Sequence, residues 1–338
     1  MRADAQPAAA IAIQLPGGRP GAGRGFLNLT EGLMLQTMLF TLALGGLALS
    51  APGAAATPPA ATAQAAVDAL LATDRDFARA SAATDPVSGL SAMFADDVVM
   101  PVRGNRFARG LDEVRDYLRS TPDYPKSQIE WTPQRGGISA DGQHGFTFGY
   151  MTLHKPDAST QPLKYLAYWV RRDGKWRVVA YKRSVSRAAP QSIAPMPSAL
   201  PGTPGATAAD AARTQEYTRS LDQAERAFSD EAQRIGLGPA FAKYGSDDAI
   251  NLGGPDDAQV IVGADRIAAS VSAGSAPGTS PVTWAPDEVI VAGSGDLGVT
   301  IGFLQPNAAG PDGSRKPIPF FTIWRRPDTK AAWRYVAE

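Results

Sequence analysis

The chain has 338 residues, and its 33 Lys plus Arg match its 33 Asp plus Glu, so the formal net charge is zero. That balance gives no electrostatic reason to expect nucleic acid as a partner, and the length suits two domains of ordinary size. With no cysteine, disulfides, thiolate catalysis, Cys-based zinc sites and a lipoprotein anchor are excluded; with only His144 and His154, no multi-histidine metal site is expected, and no cofactor is implied.

Residues 1–56 read as leader and signal peptide. Residues 38–49 are an uncharged apolar run, followed by Ser50-Ala51-Pro52-Gly53 and then Ala54-Ala55-Ala56. This is the apolar core and small-residue cleavage pattern of a secretory signal, with cleavage expected after Ala56. Met34 is a sensible alternative start, with residues 1–33 as an upstream extension, although no Lys or Arg lies between it and the run. An uncleaved anchor is the other reading, but the run is shorter than the roughly 20 apolar residues a spanning helix needs. Either way the folded part is expected outside the cytoplasm, periplasmic or secreted, with no stable membrane insertion after cleavage.

Residues 64–82 carry Ala66, Leu70, Phe77 and Ala78 near helical spacing, and 87–95 form a second short helix. Asp96-Asp97 leads into a strand-like Val98-Val99-Met100, and Leu111, Val114 and Leu118 mark a third helix after Gly110. Strands are expected at 128–138, 144–154 and 162–171, with a last strand at 175–182 after the hairpin signal Asp173-Gly174. Helices followed by a strand meander read as α+β with an antiparallel sheet. The segment 185–212, rich in Pro, Ala, Ser and Gly, reads as a partly extended linker.

Beyond the linker the pattern returns at an offset of about 151–153 residues. Asp74-Arg75-Asp76-Phe77 matches Glu225-Arg226-Ala227-Phe228, and Trp131-Thr132-Pro133 matches Trp284-Ala285-Pro286. Gly145 through Tyr150 matches Gly298 through Phe303, and Tyr165 through Arg171 matches Phe320 through Arg326. The order is collinear, so residues 64–184 and 213–338 read as two copies of one domain.

The string Asp-Arg-x-Phe (74–77), Phe-Ala-Asp-Asp (94–97), Arg-Gly-Leu-Asp-Glu-Val (109–114), Gly-Phe-Thr-Phe-Gly-Tyr (145–150) and Tyr-Trp-Val-Arg-Arg-Asp-Gly-Lys-Trp (168–176) resembles the DUF4440 branch of the SnoaL-like, nuclear-transport-factor-2-like (NTF2-like) superfamily. Residues 214–338 resemble it less closely. The resemblance implies two tandem cones, each a curved sheet wrapped on N-terminal helices with a pocket at its open end, and pairing through the sheets. It leaves activity open, since members include isomerases, cyclases, dehydratases and units with no known reaction.

The chemistry-bearing residues are few. In ketosteroid isomerases, which this chain resembles around Ala-Asp-Asp, the base position falls near Met100 or Asn251 and the tyrosine position near Phe77 or Phe228, and none of these can do that work. Asp96-Asp97 and Asp247-Asp248 read as turn residues bonded to local backbone. His144 reads as a rim histidine or, less readily, a general base, and His154 as solvated. Trp169, Trp176, Trp324 and Trp333 recur at matched places and read as packing. Gly293 through Gly298 fits G-x-G-x-x-G, but no helix follows it, so a dinucleotide site is rejected. Arg171-Arg172 and Arg325-Arg326 read as solvated edges.

Phe146, Phe148 and Tyr150 share one strand face, while Tyr165, Ala167 and Trp169 share another. If both faces look into the cone, the first copy holds an aromatic pocket of Asp74, Phe77, Met100, His144, Phe148, Tyr150, Tyr165 and Trp169; core packing explains the same residues as well. The expectation is a binding module for a small apolar or aromatic molecule or a partner protein, its two copies paired as an intramolecular pseudo-dimer. The alternative is a SnoaL-like enzyme acting in the first copy, with Asp74 or His144 as its acid–base group.

Overall fold

A computed structural model describes residues 59–338; the leader, the signal and its cleavage site lie outside them. The first unit opens with α1 (Pro59–Ser81) and α2 (Pro86–Ser91). Ala63, Val67, Leu70 and Asp74 recur at three- and four-residue steps on α1 and are all buried. Pro86 starts α2, and Asp85 caps it by accepting from the Val87 and Ser88 amides at 2.8 and 3.1 Å. Then come β1 (Phe94–Val102), β2 (Arg106–Arg109), α3 (Leu111–Ser120), β3 (Gln128–Ile138), β4 (His144–His154), β5 (Thr160–Arg172) and β6 (Lys175–Val185). Asp173 and Gly174 take φ of 48° and 73°, the left-handed pair a tight hairpin needs.

The second unit repeats the series: α4 (Ala211–Ile235), α5 (Leu237–Tyr244), β7 (Gly245–Asn251), β8 (Ile261–Val262), α6 (Ala264–Val271), β9 (Val282–Val291), β10 (Leu297–Pro306), β11 (Ile318–Arg325) and β12 (Arg334–Ala337). The sheet orders are β2-β1-β6-β5-β4-β3 and β8-β7-β12-β11-β10-β9. Both sheets are mixed, not wholly antiparallel. β1 runs parallel to β6 and β7 to β12, because the chain enters each sheet from its helices and returns beside that strand only at the end. The duplication extends to irregularities. Pro133 pairs with Gly149 and Arg135 with Phe148, skipping a residue; Pro286 pairs with Gly302 and Glu288 with Ile301 in the same way.

Each sheet buries both faces. The concave face of the first sheet packs Trp131, Tyr165, Ala167, Trp169 and Tyr181 against Val67 and Leu70 of α1. In the second, Trp284, Trp324 and Tyr335 meet Leu221 and Phe228 of α4. The opposite faces meet each other in one apolar cluster, where Phe146, Phe148, Leu166 and Tyr168 join Val299, Ile301, Phe321 and Ile323. The segment between the units runs beside β3, with the Met196 and Ala199 amides donating to the Gln134 and Gly136 carbonyls at 2.7 and 2.9 Å.

Candidate functional site

In the first cone, α1 carries Asp74 into the concave face with no exposed surface. Its Oδ1 accepts from Trp131 Nε1 at 2.7 Å and its Oδ2 from the Tyr165 hydroxyl at 2.7 Å. Burial raises the carboxyl pKa, and those two bonds oppose the rise only in part. Around it the space is taken by rings. Phe77 stacks on Trp169 at 6.1 Å and Tyr181 on Tyr165 at 6.2 Å, Phe94 tilts against Tyr181 at 5.2 Å, and Met100 is buried among them.

The strand alternation separates the eight candidates. Asp74, Phe77, Met100, Tyr165 and Trp169 come together in the first cone's core. Phe148 and Tyr150 point the other way, into the cluster shared by the two sheets, and the Tyr150 hydroxyl donates to Gln259 Oε1 of the second unit at 2.7 Å. His144 lies beside them, its Nδ1 3.0 Å from the Tyr168 hydroxyl, with its pKa lowered by burial. Opposite faces of one sheet cannot line one pocket, so the eight do not form a single site.

Three other assignments change. Asp97 stands in β1, not in a turn, and its two oxygens take Arg172 at 2.7 and 2.8 Å. Asp248 is paired with Arg135 across the units. Arg326 is not solvated: it is 4% exposed, lies 4.3 Å over the Trp333 ring and donates to the Gly295 carbonyl at 2.6 Å.

A cavity of about 200 Å³ occupies the second cone. Phe228, Phe241, Val282, Trp284, Leu304 and Phe320 form its apolar wall. The strand registers show which side chains differ at the cavity. Tyr181, which fills the first cone, corresponds to Glu338; Met100 corresponds to Asn251, and Tyr165 to Phe320. A large ring and a thioether have been replaced by two smaller polar side chains.

Glu225, Glu338, Asn251 and Lys182 are among the polar residues that line this cavity. Glu225, the counterpart of Asp74, accepts from Trp284 Nε1 at 2.6 Å, from Trp324 Nε1 at 2.8 Å and from the Thr300 hydroxyl. Burial lifts its pKa to about 7 against those three donors. Glu338 Oε1 accepts from Asn251 Nδ2 at 2.7 Å, and burial raises its pKa as well. Lys182 comes from β6 of the first unit. Its Nζ donates to the Phe321 carbonyl at 3.0 Å and lies 4.7 Å over the Phe321 ring, and burial lowers its pKa to about 8 while Glu338 opposes the drop. Pro101, Arg183 and Ser184 of the first unit line the cavity too, so both units build it. In the sequence Asn251 stands out only as a lost base and nothing marks Lys182 or Glu338; the Met100-to-Asn251 exchange is the visible signal.

Two α+β cones therefore make up the described chain, one filled and one open. The family profile described as a SnoaL-like domain matches residues 75–179, within the first cone. Comparison with curated proteins finds no match. Among solved structures, the chain is similar to a ketosteroid isomerase-like protein from Erwinia carotovora atroseptica SCRI1043, with 18% identity over 37% of this chain and 95% of that one and a TM-score of 0.27. It is similar to an NTF-2 like protein of unknown function from Shewanella oneidensis MR-1, with 14% identity over 36% and 98% and a TM-score of 0.28. A type 2 hexachlorocyclohexane dehydrochlorinase shares 15% identity over 41% and 95%, with a TM-score of 0.29.

Proposed function

We propose that this chain is an exported binding protein of the DUF4440 type, and that its ligand sits in the second cone. The observation that carries this reading is the cavity of about 200 Å³, whose largely apolar wall also carries Lys182, Asn251 and Glu338. An apolar cavity of about 150 Å³ suffices for benzene, so the volume suits a molecule of one or two rings. Lys182 supplies donors and Glu338 an acceptor, which suits a ring bearing a hydroxyl or a similar small polar group. Export rests on the apolar run at 38–49 and the Ala54-Ala55-Ala56 that follows it; a mature N-terminus after Ala56, read by sequencing the secreted or periplasmic protein, is the expected result.

Trp284 lines the cavity and reports on it. Phenols, cyclic alcohols and unsubstituted rings, titrated singly, are expected to change its emission and raise the melting temperature. The double variant Asn251→Met, Glu338→Tyr, which restores the first cone's filling, is the control. Binding of the same compounds with unchanged affinity in that variant would remove the second cone as the site.

One observation favours a second reading, proton transfer on the bound molecule. Glu338 has a raised pKa, and among the described residues Asn251 is the donor to its carboxylate, at Oε1. Loss of turnover in Glu338→Gln with binding retained would support it; turnover undiminished in that variant would end it.

A further inference from the structure

The two sheet faces are not interchangeable, although one blueprint built both. Contacts across the interface follow an approximate twofold at the level of elements, the β3 edge of the first sheet meeting β7 of the second and the β9 edge of the second meeting β2 of the first. Arg135 of β3 meets Asp248 of β7, and Glu288 of β9 meets Arg109 of β2 at 2.9 Å. The Ala140 amide donates to Asp296 Oδ1 at 3.0 Å, and the Ser294 amide donates to Asp141 Oδ2 at 2.9 Å.

The registers show which residues occupy the same place in the two copies. Arg135 and Glu288 each follow the skipped residue and pair with Phe148 and Ile301. Asp97 corresponds to Asp248 and Arg109 to Val262, since Val99 pairs with Arg109 and Ile250 with Val262. Asp141 corresponds to Ser294, each being third in a turn closed by Gly142 or Gly295 onto Ser139 or Ala292.

Self-pairing through the same axis can therefore be read off. Two second units would set Glu288 against Asp248, acid on acid. Two first units would set Arg135 against Arg109 and Asp141 against Asp141. Arg135 would still meet Asp97, but Arg172 already engages both oxygens of that carboxylate. Lys164 adds a further obstacle. It is fully buried and donates to the carbonyls of Gly254, at 3.3 Å, and Asp257, both in the loop between β7 and β8. The first unit has no such loop, since Gly104 and Asn105 turn the chain directly from β1 to β2. A first unit facing its own copy would leave that buried ammonium without acceptors, which is costly.

We infer that the two cones form an intramolecular pseudo-dimer whose faces accept each other and reject copies of themselves, so that each chain pairs within itself. Like-charge contacts and stranded buried charges are how interfaces refuse wrong partners. The inference involves no ligand, so its test stands apart from the cavity assay.

The test uses the full chain with a protease recognition sequence inserted between Gly202 and Thr203, both exposed. After cleavage of the folded protein, native mass spectrometry is expected to show one species holding one of each half. When cleaved protein is unfolded, refolded and measured again, the mixed pair is expected to exceed either self-pair by about tenfold or more. Statistical sorting of the halves, or their separation into single units, would overturn the inference. Glu288→Arg then tests the cause. It sets like charges at Arg109 and relieves the clash with Asp248, so self-pairs of the second half are expected to rise by about tenfold. An unchanged distribution in that variant would overturn the charge argument.

Discussion

Glu225 offers a measurable link between the cavity and pH. Its carboxyl is 1% exposed, and burial carries its pKa from the ordinary 4.5 to about 7. Between those values the folded chain holds a proton that the unfolded chain has released, so stability falls as pH rises through the window and is restored on acidification. At about 1.4 kcal/mol per pH unit, the rise corresponds to a penalty on the order of 3 kcal/mol above pH 7. Other groups obscure this in the wild type alone, because the carboxyls of Asp74 and Glu338 are also raised by burial, while His144, lowered to about 4, gains stability as pH rises toward its ordinary 6.5. Glu225→Gln isolates it. Denaturant unfolding of both proteins at several pH values is expected to show the wild type losing about 3 kcal/mol relative to the variant between about pH 4.5 and pH 8. Because Trp284 and Trp324 donate to this carboxyl, their emission should titrate near pH 7 in the wild type alone. A stability difference flat to within about 0.5 kcal/mol across that range would refute the reasoning.

Gly302→Ala places a methyl 2.2 Å from the Ala285 carbonyl oxygen, and Gly149→Ala one 2.3 Å from that of Thr132; each is expected to cost about 1–3 kcal/mol in thermal unfolding. Trp131→Phe strips Asp74 Oδ1 of its donor and should cost about 1–3 kcal/mol, read by denaturant unfolding. Arg135 is 2% exposed and its Nε has no partner, so Arg135→Met is expected to stay within about 1 kcal/mol of the wild type, whereas Arg135→Glu, facing Asp248, should lose about 3 kcal/mol or more. Equal losses in those two variants would show that burial rather than charge governs the position.

The duplication was legible because both copies preserve residues that packing demands: Trp131 with Trp284, Trp169 with Trp324, and the glycines where the backbone of β3 or β9 crosses closely, Gly149 and Gly302. Strand limits at 128–138 and 144–154 follow from alternation and coincide with β3 and β4. Alternation states which residues share a face but not which face is inside. Phe148 and Tyr150 look as apolar as Tyr165 and Trp169 because a second sheet covers their side of the first. The parallel pairing of β1 with β6 left no local trace, since it joins segments far apart in the chain. The cavity was hidden for a related reason. Nothing local marks Lys182 until the second unit is placed against it.

The filled cone and the open one differ by a small set of exchanges, and the energetics of those exchanges bear on function. Placing Asn251 and Glu338 where the first cone has Met100 and Tyr181 forgoes the burial of a ring and a thioether and keeps two extra polar side chains against an apolar wall. An open cavity of about 200 Å³ with aromatic walls leaves apolar surface against water unless something occupies it, at about 25 cal/mol per Å² left unburied. The double variant Asn251→Met, Glu338→Tyr should therefore be more stable than the ligand-free wild type, by about 1–3 kcal/mol on the scale of such cavity filling. Denaturant unfolding checks this directly, and a ligand that binds the wild type should close the gap. If the refilled variant is instead less stable with no ligand present, then Lys182, Glu338 and Asn251 form a cluster the fold needs for its own sake. The open cone would then be a polar joint between the two units rather than a receptor.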